Sequence, residues 1–227
     1  MADGETANSH PLPAADFVAL AVEWCEGQSA LLLGYVWQAY DALTAAMPRA
    51  IDRQDMERSI TQLLEPRIHQ TMTGDETFYV QHGPYERETK MPPPAQPPCY
   101  DIAYVLHSDE RIMWPLEAKV LKTEKDVRAY VADVREQFLS CRYAPFSSEA
   151  AMLGYLLSGD PAVAFNNISS HIPCRMKAHP FFIARPHRVS KHTRQVPLGK
   201  KYPRRFTCHH LLLLFPSLSE QGELPLR

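Results

Sequence analysis

Two carboxylates and an amine stand close together in the stretch Pro98 to Leu121, PCYDIAYVLHSDERIMWPLEAKVL. Asp101 sits on a run that reads as a strand, and Glu117 and Lys119 lie two residues apart on the next run. Residues two apart on a strand share a face, so Glu117 and Lys119 project together. The short link between the runs makes them an antiparallel pair and brings Asp101 alongside. Mg²⁺ takes hard oxygen ligands and keeps most of its waters, so one or two carboxylates plus a substrate phosphate hold it. The ion lowers the pKa of bound water and neutralises charge building on the phosphate. A neighbouring ammonium steers the attacking water and stabilises the same charge. The three side chains therefore have the chemistry to hydrolyse a phosphodiester. The other reading of the same residues is the solvated face of an edge strand.

A third acid can come from the helix that precedes these strands. Asp52 is positioned to cap it, Met56, Ile60, Leu63 and Leu64 form its apolar stripe, and Pro66 is expected to end or kink it. Glu57 lies three residues before Ile60 and seven before Leu64, so it borders the buried face. Glu65 competes for the role but sits against Pro66.

The elements that must position these groups are legible in outline. Residues 1–14 read as a flexible leader. Residues 15–47 have a helical apolar pattern and are expected to form a hairpin of two helices broken near Gly27. A strand follows at 77–86, then the proline-dense loop MPPPAQPP, which suits neither a helix nor a central strand. Strands at 99–107 and 111–121 are joined at His107-Ser108-Asp109-Glu110. In the second of these, Ile112, Trp114, Leu116, Ala118 and Val120 point one way, and Glu117 and Lys119 the other. Thr123 opens a capping-box-like start to a helix running to about residue 141. Residues 150–158 are continuously apolar, as in a buried parallel strand, and the helix between implies a right-handed crossover. Asp160 and Pro161 start another helix, and a further strand is expected near 207–215. The predicted fold is α/β: a mixed four- to five-stranded central sheet with an αβββαβ core, helices on its faces and an N-terminal helical hairpin. Residues 1–50 form the leader and hairpin, and 51–227 one domain ending in a basic segment.

Asp101, fifteen intervening residues, then Glu117-Ala118-Lys119, set in a helix–β–β–β–helix–β order over roughly residues 52–158, resembles the PD-(D/E)XK nucleases, the restriction-endonuclease-like superfamily. The resemblance implies that Asp101 and Glu117 bind Mg²⁺, with Mn²⁺ able to substitute, and that the Ala118 carbonyl adds a ligand. It implies that Lys119 orients the water and that the helical Glu57 completes the site. The chain departs from the family at the first motif, where Cys99 and Tyr100 separate Pro98 from Asp101. Some members carry a Gln followed four residues later by Tyr on the crossover helix and are exonuclease-like. Here Gln137 is followed by Cys141, so that subtype is not supported. Gln137 is either a DNA-facing group or a polar residue at a helix edge.

Composition sets the partner class. The chain has 227 residues and a net charge of −2, with 45% apolar and 22% charged residues, ordinary values for a globular protein. No run of apolar residues is long enough for a membrane span, and the first residues lack a signal-peptide pattern. Five widely spaced cysteines form no CxxC pair, which indicates neither a zinc ribbon nor a disulfide framework and favours a cytoplasmic location. From Pro161 to Ser219 there is no Asp or Glu but ten Lys and Arg, leaving −12 on the rest of the chain. This asymmetry points to a polyanion, with DNA favoured by the resemblance alone. Within the segment, Ser190, Lys191, His192 and Arg194 are the candidate phosphate contacts if extended, or else a loop. His209-His210 lacks the partner spacing of a zinc site. The expected function is a metal-dependent DNA nuclease, in a restriction or phage-defence setting by association, acting as a homodimer or within a multi-protein defence complex. The alternative is a catalytically inactive nucleic-acid-binding subunit of the same fold.

Overall fold

A computed structural model describes residues 14–48, 51–89, 97–172 and 174–219. The expected leader, except residue 14, and most of the proline-dense loop lie outside these residues. The first element is one helix, α1 (Ala14–Ala45), not a hairpin. Gly27 costs a helix interior about 1 kcal/mol, but the buried positions Phe17, Ala21, Cys25, Leu32, Val36, Ala39 and Leu43 stay in phase across it. One continuous stripe favours one continuous helix. Helix α2 (Met56–Thr71) is capped by Asp55 rather than Asp52, the Asp55 side chain accepting from the Arg58 N–H. It also runs through Pro66. Pro66 and Gln62 are exposed, so the carbonyl that loses its donor faces solvent, while the buried stripe continues past the proline from Ile60 and Leu64 to Ile68.

The sheet comprises β1 (Phe78–His82), β2 (Ile102–Leu106), β3 (Met113–Leu121), β4 (Glu149–Leu156), β5 (Lys177–Ala178), β6 (His187–Thr193) and β7 (Arg205–Leu214), in the order β1-β2-β3-β4-β7-β6-β5. Among the described residues it therefore has seven strands, more than the four or five expected. The strands missing from the sequence reading are β5, only two residues long, and β6, whose HRVSKHT has the polarity of a loop. The pairs β3–β4 and β4–β7 are parallel and the others antiparallel. Between β3 and β4 the chain forms α3 (Arg128–Asp133) and a π turn over Val134–Phe138. Helix α4 (Pro161–His171) follows β4, with Asp160 accepting from the Ala162 and Val163 N–H groups.

Alternation in the strands sorts side chains to two faces. Trp114, Leu116, Ala118, Leu153, Leu211 and Leu213 pack with α1 and α2 in the larger core. Leu121, Met152 and Leu212 pack with α3, the π turn and α4 in the other. The sheet is thus covered on both sides by helices. No helix among the described residues is long and apolar enough to cross a membrane.

Candidate active site

The antiparallel β2–β3 ladder ends at Ile102 opposite Leu116, whereas β3 continues beside β4 to Leu121. Beyond that point the outer edge of β3 has no strand partner among the described residues, and its N–H groups need other acceptors. Two carboxylates supply them. Asp101, just before β2, accepts from the Ala118 N–H at 2.7 Å. Glu57, in the first turn of α2, accepts from the Val120 N–H at 3.2 Å. The acids expected on a strand and a helix thus reach the same stretch of β3.

Lys119 draws the rest together. Its Nζ lies 3.1 Å from Glu57 Oε1 and 3.1 Å from Glu117 Oε1, donating to both, and donates to the Ala118 carbonyl at 2.6 Å. Its fourth neighbour is Asp133 at the end of α3, whose Oδ2 forms an ion pair at 3.1 Å, out of line for a hydrogen bond. Sequence reasoning missed Asp133. The signal was present: Asp133 borders the Tyr130–Val134 stripe much as Glu57 borders the Ile60–Leu64 stripe. Glu57, not Glu65, is the helical acid at the site.

Three carboxylates contact one ammonium and a fourth, Asp101, sits beside them on the Ala118 N–H, a formal charge of −3 in a half-buried setting. Glu117 is 7% exposed, and its Oε2 is buried with no hydrogen-bond partner among the described residues. Burial first, then the Asp101 charge, push its carboxyl well above the usual range. Burial also raises Asp101, against the Ala118 N–H and Lys119, which lower it. Burial alone would lower the Lys119 ammonium, but Glu117, Glu57, Asp133 and Asp101 together raise it above its ordinary value. The carboxylates converge on the ammonium rather than on one empty point. Among the described residues, the three-residue group with ligand atoms all within 4.8 Å of one another is instead His179, His187 and His209.

These residues fit a hard divalent ion. The donors are oxygens, their charge exceeds what Lys119 neutralises, and the orphaned Glu117 Oε2 lacks the partner a cation would be. The Ala118 carbonyl, expected as a ligand, is engaged by Lys119 and is available to an ion only if the ammonium withdraws.

The expected phosphate contacts fare differently. Arg194 is 3% exposed, and its guanidinium donates to the carbonyls of Phe138, Ser147, Tyr143 and Ala144 at 2.8–3.0 Å. It pins the loop after the π turn, where Cys141 and Ala144 hold φ of 63° and 50°. Ser190 is fully buried and shared between His192 and His210 at 2.7 Å. Arg194 and Ser190 therefore cannot grip a nucleic acid. The segment is a strand, as extended residues require, but its alternation turns Ser190 and Arg194 inward. His192 is half-buried against Ser190, and Lys191 alone of the four projects freely to solvent. Gln137 lies in the π turn, half-buried, with its Oε1 buried and unpartnered among the described residues. Of the other cations, Arg185 pairs with Asp41 and Lys200 with Glu88.

Comparisons with protein-family profiles, curated proteins and solved structures return no match. The functional reading rests on the residues themselves.

Proposed function

We propose that this chain is a Mg²⁺-dependent nuclease of the restriction-endonuclease-like kind, with DNA as its favoured substrate and Mn²⁺ as a substitute ion. The observation that carries the reading is the meeting of Glu57, Glu117 and Asp133, from three separate elements, on the Lys119 ammonium, with Asp101 bound to the intervening Ala118 peptide. The succession α2-β1-β2-β3-α3-β4 supports it. An ion here would be held by Asp101, Glu117, Glu57 and, once released, the Ala118 carbonyl, and would supply an activated water and charge neutralisation at the phosphate.

Lys119 cannot be the general base, because the surrounding acids keep it protonated. It acts as a donor and as positive charge beside the developing phosphorane oxygens. Glu117, buried beside Lys119, is one of the carboxylates that would hold the ion. Asp133 balances Lys119 and fixes its direction. Exposed cations such as Lys191 supply sequence-independent attraction to the backbone. Cutting both strands of a duplex calls for two such sites, so a homodimer, or a place in a multi-protein restriction or phage-defence complex, belongs to the same proposal.

A second reading has its own observation. Asp101 and Glu57 already serve as caps on the β3 edge, a duty that a catalytically inactive nucleic-acid-binding subunit would also need. One experiment separates the two. Single- and double-stranded DNA and RNA are incubated with the full chain in Mg²⁺, Mn²⁺ or chelator, beside Glu117→Gln and Lys119→Met. Ion-dependent cleavage lost in both variants supports the nuclease. A wild type that binds these substrates and cuts none of them sinks it in favour of the subunit.

A further inference from the structure

On the α1-covered face of the sheet, opposite the face toward which Glu117 projects, three histidines gather from three adjoining segments. His179 follows β5, His187 opens β6 and His209 lies on β7. The register explains the meeting. His209 is opposite Val189, so His187 is its diagonal neighbour on the same face, and the His179 N–H bonds to the His187 carbonyl. The rings of His179 and His187 stack at 4.3 Å, and those of His209 lie 5.4 and 5.6 Å from them. One nitrogen from each falls within 4.8 Å of the other two. All three residues are buried.

We infer that this cluster is a binding site for a transition-metal ion, with Zn²⁺ the ion it suits. Two buried ring nitrogens, His187 Nε2 and His209 Nδ1, have no hydrogen-bond partner among the described residues, and buried polar atoms left so call for one. Behind His209, its Nε2 meets Glu149 Oε2 at 3.2 Å. A proton held there by the carboxylate leaves the lone pair on Nδ1, the arrangement that orients histidine ligands at metals. Three neutral imidazoles suit zinc rather than magnesium. Three His ligands with one open position is an established zinc geometry. A cleft of about 500 Å³ adjoins the cluster, lined by His179, His209, Glu149, Arg175, Lys177 and Lys191.

Loading the site has a definite cost. His179 Nδ1 accepts from the Phe181 N–H at 3.2 Å, and Trp37 Nε1 donates to His187 Nδ1 at 3.4 Å. Metal on the Nε2 atoms moves the ring protons to Nδ1 and breaks both contacts. Zinc holds its nitrogens at about 2.0–2.1 Å, and the segment that follows His179 carries the exposed Phe181 and Ile183. Broken contact with Trp37 gives the site an optical reporter.

The test uses the full chain, stripped with chelator and titrated with Zn²⁺ by calorimetry and with Co²⁺ by absorption spectroscopy. The expected result, with excess Mg²⁺ present to occupy the carboxylate centre, is one equivalent of Zn²⁺, a tetrahedral Co²⁺ spectrum without a thiolate band, and a change in indole emission that is absent in Trp37→Phe. His209→Gln removes the stoichiometric binding, and Glu149→Ala weakens it about 10- to 100-fold. Glu117→Gln leaves it intact, which keeps the outcome independent of the proposed nuclease centre. Circular dichroism identifies any variant that fails to fold, and for such a variant the Co²⁺ spectrum of the wild type decides. No stoichiometric uptake, a cobalt–thiolate band, or binding lost in Glu117→Gln and kept in His209→Gln overturns the assignment.

Discussion

Replacing Glu117 by Gln should make the metal-free protein more stable while removing the nuclease activity proposed above. Glu117 is a buried carboxylate with one oxygen on Lys119 and the other, Oε2, unpartnered. Gln keeps the shape and an acceptor for Lys119, and cuts the formal charge of the cluster from −3 to −2. An unsatisfied buried polar group costs about 1–3 kcal/mol, more when charged. For a chain of this size each kcal/mol moves the melting midpoint by about 2–4 °C. The gain must depend on pH. Burial and Asp101 raise the folded-state carboxyl well above its unfolded value, so between the two values the folded chain holds the proton more tightly. Wild-type stability therefore falls as pH climbs through that window, by about 1.4 kcal/mol per pH unit. Below the unfolded value the acid is neutral in both states and the difference between wild type and variant disappears. Mg²⁺ reverses the ranking, because ligand at 100 times its Kd stabilises the wild type by about 2.7 kcal/mol and has less to bind in the variant. Calorimetric melting in chelator and in Mg²⁺, at pH 5 and pH 8, measures all of this. A variant that melts below the wild type in chelator at pH 8, or an equal Mg²⁺ shift in both proteins, refutes the reasoning.

Lys119→Met should destabilise the chelated protein by about 3–5 kcal/mol, because Glu57, Glu117 and Asp133 lose their shared cation; Mg²⁺ should restore part of the loss in melting experiments without restoring cleavage. Arg194→Met orphans four carbonyls and should cost about 2–4 kcal/mol in urea unfolding; weakened DNA binding at unchanged stability would contradict its internal role. Gly154→Ala puts a methyl 2.5 Å from Leu212 Cδ2 and 3.0 Å from Leu121 Cδ1, and should lower stability by about 1–3 kcal/mol through overpacking, read as a shifted urea midpoint.

The parts of the fold that the sequence disclosed are those whose pattern is local. Strand β3 alternates, β4 is a continuous apolar run bounded by turn signals, and Asp160-Pro161 is a self-contained helix start. Three of the site's acids and its lysine could be named because each sits at a fixed offset from such a pattern. What stayed hidden depends on partners distant in the chain. Gly27 reads as a break until the buried stripe on both sides of it is seen to share one phase. Strand β6 is too polar to announce itself, and its length is set by pairing with β7. Arg194 has the appearance of a surface cation because nothing nearby in sequence shows the four carbonyls waiting 47–56 residues away. The histidine cluster escaped for the same reason, since His179 and His187 reach His209 only through the sheet.

The carboxylates that cap the free margin of β3 carry a warning for anyone preparing inactive protein. An uncovered strand margin is a template on which a second molecule can add its own strand. Asp101→Ala would bare the Ala118 N–H on that margin, so this variant should tend to self-associate. Asp101→Asn keeps an oxygen for the same N–H and should stay dispersed, a difference that light scattering on the two proteins would register.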